Sequence, residues 1–326
     1  MCSQRVVPVA RALAASAAGT AVVLLLASIA VFALIRLAPG DRAEFELAIG
    51  DTASFLNSAQ LAELREERRA ELGLDRPLPV QYVDWLGDVV RLDLGSSYQT
   101  GAPVTTELGE RLPASLALAG LAVLIALVGV LAFAVLSVRR PGGLGDHGIR
   151  AGTILFAAVP SFLSGTLVLS WAARSGLPVV GAASLERICL PALVLALGAS
   201  PTLVRVLRAS LLAELGQPYA EAARSHGVGA TDLTVRHTLR PAVGPVLTLA
   251  GQALATLLAG SVITEVVFTW PGIAAYAVEA IRAQDYPVVQ AYVLLMVLLT
   301  VLVNRGVDLA QRLLDPRVDA SLVVVT

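Results

Sequence analysis

The chain has 326 residues, 56% of them hydrophobic and only 15% charged, with a mean hydropathy of +0.75; soluble domains of ordinary composition carry about 25% charged residues, so a soluble globular protein is a poor fit. The formal net charge is −1 and every basic residue is arginine; this balance gives no electrostatic case for a nucleic-acid partner, and none is expected. Cys2 and Cys189 are far apart, and that pair alone supplies neither a disulfide framework nor a zinc spacing.

Six stretches lack any charge: 12–35, 112–138, 151–173, 188–204, 241–264 and 286–304. A helix needs about 20 residues to cross roughly 30 Å of hydrocarbon. Four runs meet that length outright, and those at 188 and 286 meet it by extending a few residues. The expected fold is an all-α polytopic membrane protein with six transmembrane helices. Buried helices of a large soluble protein are the competing reading, but too little polar surface exists to cover so many apolar runs. With the N-terminus inside, 13 arginines fall in inside segments and six lie outside near span ends. That bias favours N-in and C-in.

In chain order, a short basic tail precedes span one, which lacks a convincing cleavage site after it and reads as a retained span. The outside segment, 39–111, is acidic, with 14 Asp plus Glu against seven Arg. Gln60 to Leu72 reads as a charged surface helix. Leu74 to Pro79 is a breaker, and Pro79 suits the first turn of the next helix. Val80, Val83, Leu86 and Val90, with Tyr82, Trp85 and Val89, form a stripe at helical spacing, expected at the membrane interface or against the spans, with packing inside a small extramembrane subdomain the plainer alternative. Leu94 to Ser97 turns the chain. Residues 104–111 read as a short helix closed by Pro113. Arg139-Arg140-Pro141-Gly142-Gly143 forms an inside turn. Pro160 within span three frees backbone groups, so it is expected to face protein or a pathway. Span four follows an outside loop at 174–187. Span five carries small residues, among them Gly244, Ala250, Gly251 and Gly260, that allow close helix approach. It ends at Glu265, read as the one acid on a buried side and as a structural group held by an ion pair or a hydrogen bond. Phe268 to Pro287 should hold a short outer helix before span six.

Chemistry is sparse. The chain contains no HExxH, GxSxG or Walker-type phosphate loop, and neither the intramembrane carboxylates nor the paired broken helices in two related halves that ion-coupled transport usually leaves are evident. His147, His226 and His237 fall in inside loops and read as solvated or packing residues, so no catalytic, metal or cofactor site is expected. Attention falls instead on 216–241, the most polar inside connection. Pro218 starts a helix there. Tyr219, Ala222, Ala223 and His226 share one face, and the two alanines permit close approach by another protein. Gly227 fits a left-handed helix end. Thr231 or Asp232 can begin a second helix, on which Arg236 and Arg240 share a face. A solvated basic face or lipid-headgroup contacts are the plainer reading of those arginines; the sharper one is a helix–glycine–helix unit that docks on a soluble motor.

These residues carry a specific resemblance. Glu221-Ala222-Ala223, three further residues and Gly227 look like the EAA loop of ABC importer permeases. Arg236-His237-Thr238-Leu239-Arg240-Pro241-Ala242 resembles the form found in the dipeptide/oligopeptide/nickel permease family. Other segments resemble that family in order: Leu72–Tyr82, Asp93–Ser97, Arg111–Leu116, Pro160–Phe162, Leu177–Val179, Glu265–Gly272, Asp285–Gln290 and Leu314–Arg317. Segment 41–60 has no match, and the loop at 180–187 is short for the family. The resemblance implies a single permease domain over 1–326, with an extracytoplasmic segment at 39–111 and a cytoplasmic coupling loop at 205–240. It implies no enzyme activity in this chain, with ATP and Mg held by partner subunits. The implied partners are a second homologous permease, two ABC ATPases, an extracytoplasmic substrate-binding (lipo)protein and the lipid bilayer of a prokaryotic cell membrane. The implied coupling residues are Tyr219, Glu221, Ala222, Ala223, Gly227, Arg236, His237, Leu239 and Arg240. Peptides are the expected cargo, with nickel the alternative within the family and an exporter or channel without ATPase partners the alternative outside it.

Overall fold

A computed structural model describes residues 6–37, 58–71, 73–179, 181 and 184–314. Most of the unmatched 41–60 segment and the Asp315–Arg317 end of the terminal motif lie outside the described residues. No named strand occurs among the described residues, and the elements are helices. They are α1 Val6–Leu37, α2 Ser58–Glu71, α3 Leu78–Val90, α4 Val104–Arg139, α5 Leu144–Ala158, α6 Ser161–Arg174 and α7 Leu185–Leu215. There follow α8 Pro218–Ser225, α9 Ala230–Asp232, a π turn at Leu233–Thr238, α10 Leu239–Ala242, α11 Gly244–Gly260, α12 Val262–Val267, α13 Ile273–Arg282 and α14 Tyr286–Leu314.

Among the described residues, four stretches are long and apolar enough to cross a membrane: Ala18–Leu37, Val104–Arg139, Glu186–Leu215 and Tyr286–Ala310. Two bent pairs, where the sequence suggested no broken helices, raise the number to six if each is one span. One is α5 with α6, bent by 100°. Val159 is extended (ψ 122°) because Pro160 disfavours the helical conformation of the residue before it. Span three is therefore broken rather than continuous, and Pro160 starts α6 as its exposed N-cap instead of packing within a helix. The other pair, Ala230–Ala242 with Gly244–Gly260, bends by 58°. The expected uninterrupted run at 241–264 is thus divided near Val243 and again at Ser261. Pro113 does not close a helix: α4 runs through it.

The chain divides into two compact units, Met1–Arg111 with Tyr276–Leu298, and Leu112–Ala275 with Leu299–Thr326. In the first, α3 uses part of its apolar stripe against α1. Phe32 meets the Tyr82 ring edge-on at 5.4 Å and the Trp85 ring at 5.6 Å, while Ser28 Oγ and the Tyr82 hydroxyl share a 2.8 Å hydrogen bond. Val83 and Val90 stay exposed. Asp285 is buried and accepts from Ser97 Oγ at 2.5 Å and the Gln99 amide at 3.3 Å. Tyr276 donates its hydroxyl to buried Glu107, and Arg111 covers the Tyr276 ring at 4.1 Å.

The second unit is built on α4 and α7. Ala126, Val130, Ala134 and Val138 recur every fourth residue on α4 and form one row. That row packs with Ala196, Leu203, Val204, Leu207 and Leu211 of α7, joined by Ala242 and Val246. A second cluster gathers Leu118, Ala122, Ile188, Ala192, Leu195 and Trp270. Beside it, Glu265 is fully buried and accepts from Ser115 Oγ (2.8 Å), Ser261 Oγ (3.0 Å) and the amides of Ala274 (2.9 Å) and Ala275 (3.0 Å). Its role as a hydrogen-bonding group holds, but it is not alone: Glu107, Asp146 and Asp285 are buried as well. Arg187, expected in an outer loop, lies in the first turn of α7 and donates Nη2 to the carbonyls of Val179 (3.1 Å), Phe268 and Thr269 (both 3.4 Å).

Candidate functional site

The 216–242 stretch follows α7 without a break in its logic. Gly216 ends α7, and Gln217 is extended (ψ 151°) as the N-cap of α8. Pro218 takes the first helical position, where its missing N–H costs no helical bond. Glu221 lies in the first turn, where the helix dipole favours an anion. Ala220 faces inward and is buried; Tyr219, Glu221, Ala222 and His226 are exposed and Ala223 is half-buried. The helix ends as expected at Gly227, whose φ is +80°. The Gly227 amide donates to Arg224 O at 2.9 Å and the Val228 amide to Ala223 O at 3.1 Å. This pair of bonds is a Schellman closure, which requires a left-handed residue at that position.

The second arm begins one residue earlier than expected, at Ala230, with Gly229 extended as its N-cap. It then widens into the π turn, which no sequence signal indicated. Leu233, Thr234 and Thr238 are buried on its inner side, while Val235, Arg236 and His237 are exposed. Threonine hydroxyls occupy carbonyls along this arm: Thr234 Oγ1 donates to Ala230 O (2.8 Å) and Thr238 Oγ1 to Thr234 O (3.1 Å). Arg236 pairs with Asp232 at 2.8 Å, a solvated ion pair of little energetic weight. Leu239 is half-buried against the main core cluster, and Arg240 is exposed.

Two ties fasten α8 to the end of α7. Arg224 Nη2 donates to Leu215 O at 2.6 Å, and the Tyr219 hydroxyl donates to Glu214 Oε2 at 2.5 Å. Partial desolvation, together with the Glu214 carboxylate, pushes the Tyr219 phenol up to about 12, so it stays protonated and donating at neutral pH. The arms pack on each other and on α7. The nine expected residues therefore belong to one compact element: Tyr219, Glu221, Ala222, Ala223 and Gly227 on its first arm, Arg236, His237, Leu239 and Arg240 on its second. The exposed side presents an aromatic ring, small residues and cations, and it holds no constellation of nucleophile, base and oxyanion donors. Asp146 and Arg208, whose 2.7 Å ion pair ties α5 to α7, were missed by sequence reasoning. No spacing rule links residues 62 positions apart.

Residues 125–320 match the family model described as binding-protein-dependent transport system inner membrane component, and residues 9–119 match the model for the N-terminal part of such membrane components. A probable peptide ABC transporter permease protein, y4tP, of Sinorhizobium fredii is 35% identical over 309 residues, covering 92% of this chain and 96% of the relative. The di/tripeptide transport system permease protein DppB of Pseudomonas aeruginosa is 34% identical over 318 residues, covering 88% and 92%. Among solved structures, an inward-facing MetNI methionine ABC transporter chain aligns with a TM-score of 0.56 at 20% identity, covering 64% of this chain and 96% of that one. A chain of an amino acid ABC transporter aligns with a TM-score of 0.52 at 18% identity, covering 64% and 94%. The structural matches speak for the fold; the sequence matches, with the apolar helices, speak for membership: the chain is a multi-pass membrane protein of the binding-protein-dependent transport system inner membrane component family.

Proposed function

We propose that the chain is the permease subunit of an ATP-binding-cassette importer that moves peptides across the cytoplasmic membrane, and that residues 218–240 are where partner ATPases act on it. The observation that carries the coupling role is the 216–242 element itself. It has two short arms closed by Gly227, an exposed face containing Tyr219, Ala222 and His226, and exposed Arg236, His237 and Arg240, set between long apolar helices. The names of the relatives support peptides as cargo.

In this reading the chain crosses the membrane six times, N-in and C-in, counting each bent pair as one span. It pairs with a second homologous permease, docks two ATPases from the cytoplasm and receives cargo from an extracytoplasmic binding protein. The segment at 39–111 lies outside and the loop at 205–240 inside, within one permease domain. ATP and Mg belong to the ATPases, and this chain performs no catalysis. ATPase closure and binding-protein docking each favour one arrangement of a bistable helix bundle. The test is purification of the native complex and assay in liposomes. Co-purifying ATPases whose hydrolysis rises when peptide-loaded binding protein is added are the expected result. Transport of peptide by the chain with no ATPase present would overturn the reading.

A further inference from the structure

We propose that Asp146, Arg208 and Ser137 form a positioning clamp that carries movement of the 218–242 element into α4 and α5. The proposal rests on the coupling role given to that element above. Asp146, in the first turn of α5, is 2% exposed. Its Oδ2 accepts Arg208 Nη2 at 2.7 Å and the Gly142 amide at 3.0 Å. Its Oδ1 accepts Arg208 Nε at 2.9 Å and the Ser137 hydroxyl. Arg208 Nε also lies 2.8 Å from Ser137 Oγ. One carboxylate is thus held bidentately by a guanidinium and satisfied on both oxygens, which fixes direction as well as distance.

The three residues join three elements. Ser137 is in the last turn of α4, Gly142 is in the turn before α5, and Arg208 is two turns from the end of α7. From there the chain runs through Gly216 into α8, which Tyr219–Glu214 and Arg224–Leu215 tie back onto α7. Beyond the π turn, Ala242 and Val246 rejoin the same apolar cluster as Val138, Leu207 and Leu211. A push on α8 therefore meets α7 first, and the clamp is the directional polar contact that passes it to α4 and α5. An apolar trio of equal volume would give comparable stability, because desolvation offsets much of a buried pair's attraction. Fixed register between helices is what the pair adds, so that α4, α5 and α7 move as one body.

The experiment uses the full complex in proteoliposomes, with uptake of a radiolabelled mixture of di- to pentapeptides, ATP hydrolysis and thermal stability read on the same preparation. Peptide-stimulated hydrolysis by the wild type, lost in Gly227→Val, establishes the coupling role; if neither is seen, the proposed function falls and the clamp with it. Given that role, Asp146→Asn should lower peptide taken up per ATP hydrolysed by about tenfold, within the usual range of coupling free energies. Arg208→Lys, which keeps the charge but loses the fork, should lower it less. Hydrolysis itself should continue in both. A purely structural pair would lower yield and Tm and leave that ratio unchanged; an unchanged ratio in assembled complexes overturns the clamp. If Asp146→Asn does not assemble, Arg208→Lys and Ser137→Ala decide by the same ratio.

Discussion

Glu265 and Gly272 show how far single residues set this structure. Glu265, fully buried, collects two serine hydroxyls and two backbone amides at the start of α13. Removing that acceptor leaves buried donors unsatisfied. Glu265→Ala should therefore cost roughly 3 kcal/mol or more of stability, read as a fall in Tm of the purified protein, whereas Glu265→Gln keeps one acceptor and should lose less. Gly272 is held to glycine by space: a Cβ there would sit 2.3 Å from Glu265 Oε2 and 2.5 Å from Ser115 Oγ. Gly227 is held by conformation instead. A Cβ there meets nothing within 4 Å, but φ is +80°. A left-handed residue with a side chain costs about 1–2 kcal/mol, and a β-branched one more. Gly227→Val should open the Schellman closure, leave membrane insertion intact and abolish peptide-stimulated ATP hydrolysis in the reconstituted complex. Normal stimulation would show that the closed end of α8 is not needed for coupling.

At the scale of elements, close approach and interruption dominate. Gly251 on α11 faces Val307 on α14 so tightly that a Cβ would fall 2.0 Å from Val307 Cγ2 and 3.0 Å from its Cβ. Rotation of the valine cannot relieve a contact with its own Cβ. Gly251→Ala should thus force the helices apart, lowering Tm, and Val307→Ala in the same chain should restore most of the loss. Additive losses in the double variant would mean that the helices meet elsewhere. The small residues of span five were legible in the sequence because size is a property of each residue. The breaks were less so. Pro160 announced an irregularity, but a proline inside an apolar run is compatible with a kinked span or a 100° turn, and only packing selects between them. The π turn had no local signal. Its buried Leu233, Thr234 and Thr238 hold the wide turn against the core, and that requirement arises from neighbours distant in sequence.

For the molecule as a whole, orientation is the property on which function depends. Counted over the loops, the arginine bias supports the proposed cytoplasmic placement of 216–241. With Cys2 and Cys189 replaced by serine, Gln217→Cys should react with a membrane-impermeant thiol reagent only after cells are opened. Labelling of intact cells would invert every assignment of inside and outside. Composition and charge-free runs were enough to establish a multi-pass helical membrane protein, because burying backbone polar groups in lipid leaves a helix as the solution for apolar runs of this length. The helix–glycine–helix shape of 216–242 was also legible: Pro218, Gly227 and the alanines between them act through local backbone geometry and side-chain size. Tertiary structure alone decided which polar residues meet. Ser115 finds Glu265 across 150 residues, and Asp146 finds Arg208 across 62. Such pairs follow from how helices pack, and packing depends on the shapes of all the facing surfaces together, which no window along a single sequence contains.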